Sequence, residues 1–423
     1  MTPPILDSLA IWWDQRLAGH LSIDRGGAMH FTYAPDWLAD AAAPPLSQAL
    51  PKREEPYGDA LCKAVFGGLL PEEGQRTAIA RALGVSPDNP FRLLQALGGD
   101  VAGALAFLPE GEAPAAPAPA APPVPLDEAA LAALLDRLPR VPMLAGEGGA
   151  RLSLAGAQGK LPVVLGAGGG IAIPREGEPS THLIKPEPER FPGLAANEAF
   201  CLALARATGL DAAHAEWRAA AGRPFLLVAR YDRLTGEGEG ATRRLHQEDF
   251  AQALGVPSHA KYAAEGGPVF RDCFALLRRA ATRPAPEVLK LADAAIFNLL
   301  IGNADAHAKN FSLLRRESGE VVLAPLYDLV ATHIWPDLSP RFAMKYGGAA
   351  TLEDVDGESL AGFARDAGLA APFVRRRTRA LAEAALEVLD RGVTVPGLTD
   401  RAAVATLAEA IRDRAGRLAL KAV

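Results

Sequence analysis

Residues Gly302 to Asn310 read GNADAHAKN, and Asp328 closes the run LAPLYD eighteen positions after Asn310. Phosphoryl transfer from ATP asks little of a protein beyond position. One carboxylate takes or orients the proton of the acceptor hydroxyl, while an Asn and a second carboxylate hold the Mg²⁺ that bridges the phosphates. Asp305 and Asn310 stand five apart, the spacing of a base and an amide on one loop. Between Asn310 and Asp328, FSLLRRESGEVVLAPLY sets two short apolar runs around Ser318-Gly319, which reads as a hairpin. Asp305 is thus the candidate base, and Asn310 and Asp328 the candidate Mg²⁺ ligands. The competing reading makes Asp305 and Asn310 caps that merely end the preceding helix, a common job for both residue types. The hairpin, with Asp328 in register, favours the chemical reading.

A chain of 423 residues predicts two or three domains, at about 100–200 residues each. Basic residues number 44 against 50 acidic, a net −6, so nothing in the global charge draws the chain to nucleic acid. DNA contact would need a local patch, for which the run Arg375-Arg376-Arg377-Thr378-Arg379 is the candidate, or a partner. Cys62, Cys201 and Cys273 lie far apart in apolar, helix-like contexts and read as buried structural thiols. The N-terminus carries Asp7 and Asp14 and lacks a basic-then-apolar signal pattern. The least polar run, Leu161 to Ile173, is too short and Gly-rich for a spanning helix, which needs about 20 residues. A soluble cytoplasmic protein without membrane contact is the expectation.

Residues 5 to 33 alternate as strands (LAIWW, LAGHLSI, AMHFTY) with a turn at Asp24 to Gly27, and the pattern becomes helical from Asp59. This predicts an N-terminal α+β subdomain over 1–109. A Pro/Ala linker, 110–126, should be extended and exposed. A helix from Asp127, its N-cap, to Leu138 opens a nucleotide-binding region over 127–246. There LSL, LPVVL, GIAI, THLIK and FLLVARYDR read as strands around one helix, Leu194 to Leu210. From 247 to 423 the chain reads as helical, broken only by the hairpin after Asn310. Strands around one helix, then a mainly helical C-terminal lobe holding the loop, is the two-lobed order of the protein-kinase fold, here in an α+β chain.

Ala155 to Lys160 (Ala155, Gly156, Ala157, Gln158, Gly159, Lys160) lie between two candidate strands, and small residues let backbone N–H groups approach phosphates. A plain turn with a solvated Lys is the alternative. Lys185 ends THLIK, placed to hold the α- and β-phosphates, and Glu198 on the following helix could orient it. Each could equally be solvated. Ala229, Arg230 and Tyr231 close the strand region, where a hinge offers backbone groups to adenine; Tyr327, beside Asp328, counts with the nucleotide contacts. His307 can hydrogen-bond the transferring phosphate, and Lys309 adds positive potential near it; an ordinary loop His is the rival reading. Ala304 precedes Asp305, so the Arg-Asp pair that reads a phosphorylated activation loop is absent.

FTYAPDWL, FGGLLPEEGQR, SLAGAQGK, STHLIK, ANEAFCLALA, VARYDR, RLHQEDFAQALG, KYAAEGGP, LLIGNADAHAKNFS and LAPLYDL follow one another along nearly the whole chain. In that order they resemble the HipA family of serine/threonine kinases, the toxin half of bacterial toxin–antitoxin pairs. The resemblance implies an ATP- and Mg²⁺-dependent protein kinase whose target is an aminoacyl-tRNA synthetase, notably glutamyl-tRNA synthetase, with growth arrest and persistence as the outcome. It also implies a small helix-turn-helix antitoxin, HipB-like, and operator DNA bound only through the antitoxin complex. Asp305 matches the family's base, Asn310 and Asp328 its metal ligands, Lys185 its phosphate lysine, and Ser153 the loop serine that members autophosphorylate. Ala229 stands where an acidic residue is common, and Gly159 replaces a Glu of the AGAQEK form. Two rival readings remain. One is a small-molecule or lipid kinase, since aminoglycoside- and phosphoinositide-type kinases also place His two residues after the Asp. The other is a catalytically silent co-repressor acting through its antitoxin.

Overall fold

The structure, a computed structural model, describes residues 4–114, 123–145, 151–235 and 242–422. In the N-terminal unit, β1 (Ile5–Trp13), β2 (Arg16–Asp24), β3 (Met29–Tyr33) and β4 (Leu105–Pro109) form an antiparallel sheet in the order β3-β2-β1-β4. Helices α1 (Pro35–Ala39), α2 (Asp59–Val65), α3 (Glu73–Leu83) and α4 (Pro90–Leu97) complete the unit. Phe31, Phe66, Phe91 and Phe107 are fully buried in its core. Most of the Pro/Ala linker lies outside the described residues. Its described end is tied to the next sheet, for Leu126 N–H donates to Ile171 O at 2.8 Å.

That sheet runs β6-β5-β7-β9-β8, from β5 (Leu161–Leu165), β6 (Ile171–Ala172), β7 (His182–Pro186), β8 (Ala215–Ala220) and β9 (Arg223–Ala229). It is covered on both faces by α5 (Glu128–Arg137), which Asp127 caps as expected, and by α6 (Leu194–Ala207). The period-2 geometry of a strand explains how. Phe225 and Leu227 of β9 join Leu134 and Leu135 of α5, while Leu226 and Val228 join Phe200 and Leu204 of α6. Two local expectations fail. LSL forms no strand, only a bridge from Leu152 to Asp100, and AEWRAA of β8 is a strand that its Ala-rich composition hides. Pairing makes it one: Ala221 (φ 46) and Gly222 (φ 79) turn the chain directly into β9, with the two positive φ values that a two-residue hairpin loop requires.

After the short pair β10 (Arg233–Leu234) and β11 (Arg243–Arg244), the C-terminal lobe begins with β12 (Gln247–Asp249), which pairs with the hairpin β13 (Ser312–Arg315) and β14 (Val321–Leu323). Its helices are α7 (Phe250–Ala253), α8 (Phe270–Ala280), α9 (Pro284–Ile301), α10 (Gly357–Ala367), α11 (Ala371–Arg391) and α12 (Ala405–Lys421). The lobe also contains a second hairpin, β15 (Arg341–Tyr346) and β16 (Ala349–Thr351), so the helical run is not broken only once. The three cysteines are free and buried, in α2, α6 and α8. The chain is an α+β protein with a two-lobed, protein-kinase-like fold. Among the described residues no helix is long and apolar enough to cross a membrane.

Candidate active site

Helix α9 is apolar almost all round and buried, and it ends where Gly302 turns left-handed (φ +73) with its N–H on Asn298 O and Leu299 O. GNADAHAKN therefore leaves the core at a fixed point. It opens into a cavity of about 670 Å³, a size typical of small-molecule sites. The cavity gathers Ala155 to Lys160, Lys185, Ala229 to Tyr231, Asp305, His307, Lys309, Asn310, Tyr327 and Asp328 on its lining. Of the candidate catalytic, metal and nucleotide-loop residues only Ser153 is absent from it.

A chain of charges crosses the cavity. Glu198 of α6 accepts from Lys185 Nζ at 2.6 Å, and the same ammonium donates to Asp328. Asn310 Nδ2 in turn donates to Asp328 Oδ2 at 3.2 Å. Burial opposes both charges of the Lys185–Asp328 pair, but each outweighs that for the other, so Lys185 rises and Asp328 falls from its ordinary value. Asp328 has φ 51, a left-handed backbone that Asp tolerates better than most residues. Tyr327 donates its hydroxyl to Lys309 O at 2.7 Å, with Ser312 Oγ also at 2.7 Å.

The loop is stitched to the N-terminal unit. Gly156 O accepts from Glu72 N–H at 3.2 Å, and the buried Ser153 hydroxyl donates to Leu69 O at 3.0 Å. Lys160 folds back so that Nζ donates to Ala155 O at 2.8 Å. Gly156 is needed there: its φ is +116, and a Cβ would stand 2.7 Å from that ammonium. Burial, with Lys185 nearby, lowers the Lys160 pKa.

Asp305 opens onto the cleft, yet desolvation by the surrounding protein lifts its carboxyl to about 6, against the charge of Lys261 and a hydrogen bond from Tyr262. His307 packs edge-on to Tyr262 with centroids 5.5 Å apart, and burial beside Lys261 pushes it down to about 3. Its ring is therefore neutral at ordinary pH, and Nδ1 is buried without a partner among the described residues. Lys261 donates to Glu72 at 2.8 Å. Sequence reasoning missed the contribution of Lys261, Tyr262 and Glu72, although KYAAEGGP and FGGLLPEEGQR contain them. An acid directly after an apolar run was the available signal for Glu72.

Two side chains depart from expectation. Lys309 does not offer a free charge to the cleft: its ammonium is held by Asp249 at 2.5 Å and Gly68 O at 3.2 Å, with Glu72 at 3.5 Å. It bonds the lobe to the N-terminal unit. The Arg230 guanidinium turns away into a buried network, bonding Asp232 at 2.8 and 2.9 Å, Ser180 at 2.8 Å and Val101 O at 2.9 Å. Asp100 in that network would be raised by burial, but Arg233, Arg230 and Arg244 hold it at about 2. The N–H groups of Ala229 and Arg230 are engaged by His214 O and Thr181 O, whereas Tyr231 N–H has no partner among the described residues. The basic run on α11 is not one open face either. Arg377 grips Asp293 at 2.6 and 2.8 Å and Arg375 bonds Gly357 O, which leaves Arg376 and Arg379 exposed.

Two family descriptions match this chain, the HipA N-terminal domain over residues 9–108 and the HipA-like C-terminal domain over 152–390. Among curated relatives, the Sinorhizobium fredii protein Y4mE, which carries a provisional kinase name, is 53% identical across 90% of this chain and 91% of its own length. The serine/threonine-protein kinase toxin HipA of Shewanella oneidensis is 30% identical across 84% of this chain and 82% of its own. A solved complex of Shewanella oneidensis HipA, HipB and operator DNA contains a chain that superposes with a TM-score of 0.84 at 28% identity, covering 97% of both.

Proposed function

This chain belongs to the HipA family, and we propose that it is the serine/threonine kinase toxin of a toxin–antitoxin pair, using ATP and Mg²⁺ to phosphorylate a protein. The convergence of Asp305, Asn310, Asp328 and the Lys185–Glu198 pair on one cavity carries this reading. Adenine lies against Ala229 to Tyr231, using the free Tyr231 N–H. The Ala155–Lys160 loop and Lys185 take the phosphates. Asn310 and Asp328 would hold Mg²⁺ through one amide oxygen and one carboxylate, the hard oxygen donors that ion takes. When bound, that ion neutralises charge developing on the phosphates. Asp305, ionised above about pH 6, accepts the proton of the acceptor Ser or Thr hydroxyl. Neutral His307 can donate one hydrogen bond to the transferring group. Lys309 is left out of this chemistry; it braces the catalytic loop from behind.

The proposed target is an aminoacyl-tRNA synthetase, with glutamyl-tRNA synthetase as the first candidate, and its modification would arrest translation in the cytoplasm and favour persistence. The test is transfer of radiolabelled γ-phosphate by the purified chain into cell extract with Mg²⁺. A labelled protein band is expected, lost in Asp328→Ala and on chelation of the metal. Label in a small alcohol instead would favour the small-molecule reading, and antitoxin binding without turnover the co-repressor reading.

A HipB-like helix-turn-helix antitoxin is the proposed partner, and the pair represses its own operon. With net charge −6 and only Arg376 and Arg379 of the basic run exposed, the isolated chain should bind operator DNA weakly, with affinity dropping steeply as salt rises. Titration of labelled operator with and without antitoxin checks this. Tight sequence-specific binding by the chain alone would contradict it.

A further inference from the structure

A second cavity of about 320 Å³ shares no residue with the first. Leu299, Leu352, Val355 and Leu418 give it aliphatic walls, and its lining sets Arg414, Arg417 and Lys421 against one carboxylate, Glu353, with Asp356 outside the lining also acting on Lys421. The three cations recur at i, i+3 and i+7 on α12, so they share one face and repel one another. Arg414 is the least solvated. Its side chain is 11% exposed, its Nε has no hydrogen-bond partner among the described residues, and Glu353, whose own side chain is 71% exposed, lies 3.6 Å away. Arg417 is exposed with no ion pair among the described residues. Lys421 donates to Glu353 O at 3.2 Å and Val355 O at 2.7 Å, which leaves one ammonium hydrogen free. A desolvated guanidinium with an incomplete set of acceptors is costly unless an anion completes it.

We propose that this cavity binds a phosphoryl group carried on a small organic moiety. The forked donors of Arg414 and Arg417 match phosphate oxygens, Lys421 adds a third charge, and the aliphatic walls take the organic part. Three cations against one carboxylate favour a dianion over a monocarboxylate. The site reaches the root of the catalytic loop. Leu299 lies one turn before Gly302, whose N–H donates to Leu299 O at 3.2 Å. His333, held to Gly302 O through its N–H at 3.3 Å, sits in the field of Arg414 and Arg417. The binding proposal stands independently of the kinase reading.

The experiment is calorimetric titration at constant ionic strength, with the first cavity saturated by a non-hydrolysable ATP analogue and Mg²⁺. The probes are inorganic phosphate and a phosphoserine peptide. Wild type is expected to bind one equivalent, and Arg414→Met with Arg417→Ala to weaken it at least tenfold, with analogue affinity unchanged. Arg417→Ala alone, at an exposed position, keeps the test open should the double variant not fold, and it should weaken binding at least threefold. Tighter binding of the peptide than of phosphate supports a phosphoryl group carried on an organic moiety, whereas tighter binding of bare phosphate would show that the aliphatic walls take no organic part and would overturn that assignment. No binding of either probe by wild type, or equal binding by Arg417→Ala, overturns the site itself.

Discussion

Replacing Asp305 with Asn should cut phosphoryl transfer by about 10²–10⁴-fold, the usual worth of a general base, while leaving the fold at least as stable. The opposite signs follow from one environment. Burial holds the folded carboxyl near 6, against 3.8 for an ordinary Asp. Between those pH values the folded chain binds more protons than the unfolded one, so stability falls as pH rises through the window and stays reduced above it. Asn carries no charge to desolvate, so the variant should melt slightly higher than wild type at pH 8, and the gap should close near pH 4. The rise is small because the carboxylate opens onto the cleft, where water screens it. In wild type, kcat/KM should decline as pH drops below about 6. Radiolabel assays and melting curves at the two pH values decide the matter. Turnover near wild type would remove Asp305 from the role of base, and a lower melting point at pH 8 would contradict the burial cost of its carboxylate.

The Asp305, Asn310 and Asp328 constellation was legible because one continuous segment carries the loop and the hairpin that returns the chain to it, so spacing along the sequence reports spacing in the cleft. Lys185 with Glu198 was legible for a similar reason, a strand end followed by the next helix. Glu72, Asp249 and Lys261 come from three distant segments, and no local periodicity says that they meet. Lys309 misled through proximity. It stands two residues after His307, and in the tight turn Ala308–Asn310 residues two apart do not share a face, so its ammonium goes to Asp249 instead. The order of strands and helices marked out the lobes. AEWRAA and the β15–β16 hairpin escaped because pairing and burial, rather than intrinsic preference, make them strands.

Phosphorylation of Ser153 should lower ATP affinity at least tenfold, without any change at Asp305. The Ser153 hydroxyl is fully buried and donates to Leu69 O, and its N–H donates to Asp100 O at 3.0 Å. A phosphate there turns a donor into a group that only accepts, facing a carbonyl that also only accepts, and adds about −1.5 to −2 charge at a fully buried position. The modified residue cannot stay. Its departure pulls on Gly156, whose carbonyl holds Glu72 N–H, and on the Lys160–Ala155 contact, so the phosphate-facing backbone loses its fixed shape. The same burial means that the unmodified hydroxyl reaches Asp305 only when the loop opens, so modification should be slow and should trap the open form. Mass spectrometry of wild type and Asp305→Asn expressed alike should find phosphate on Ser153 in the active protein alone. The phosphorylated fraction should also be cut faster by protease between residues 151 and 160. Ser153→Ala separates charge from the lost hydrogen bond: it leaves Leu69 O without its donor, at a cost of about 1 kcal/mol, but adds no charge and should keep most ATP affinity. Equal nucleotide affinity in the modified and unmodified protein would show that the loop tolerates the phosphate, and with it the mechanism fails.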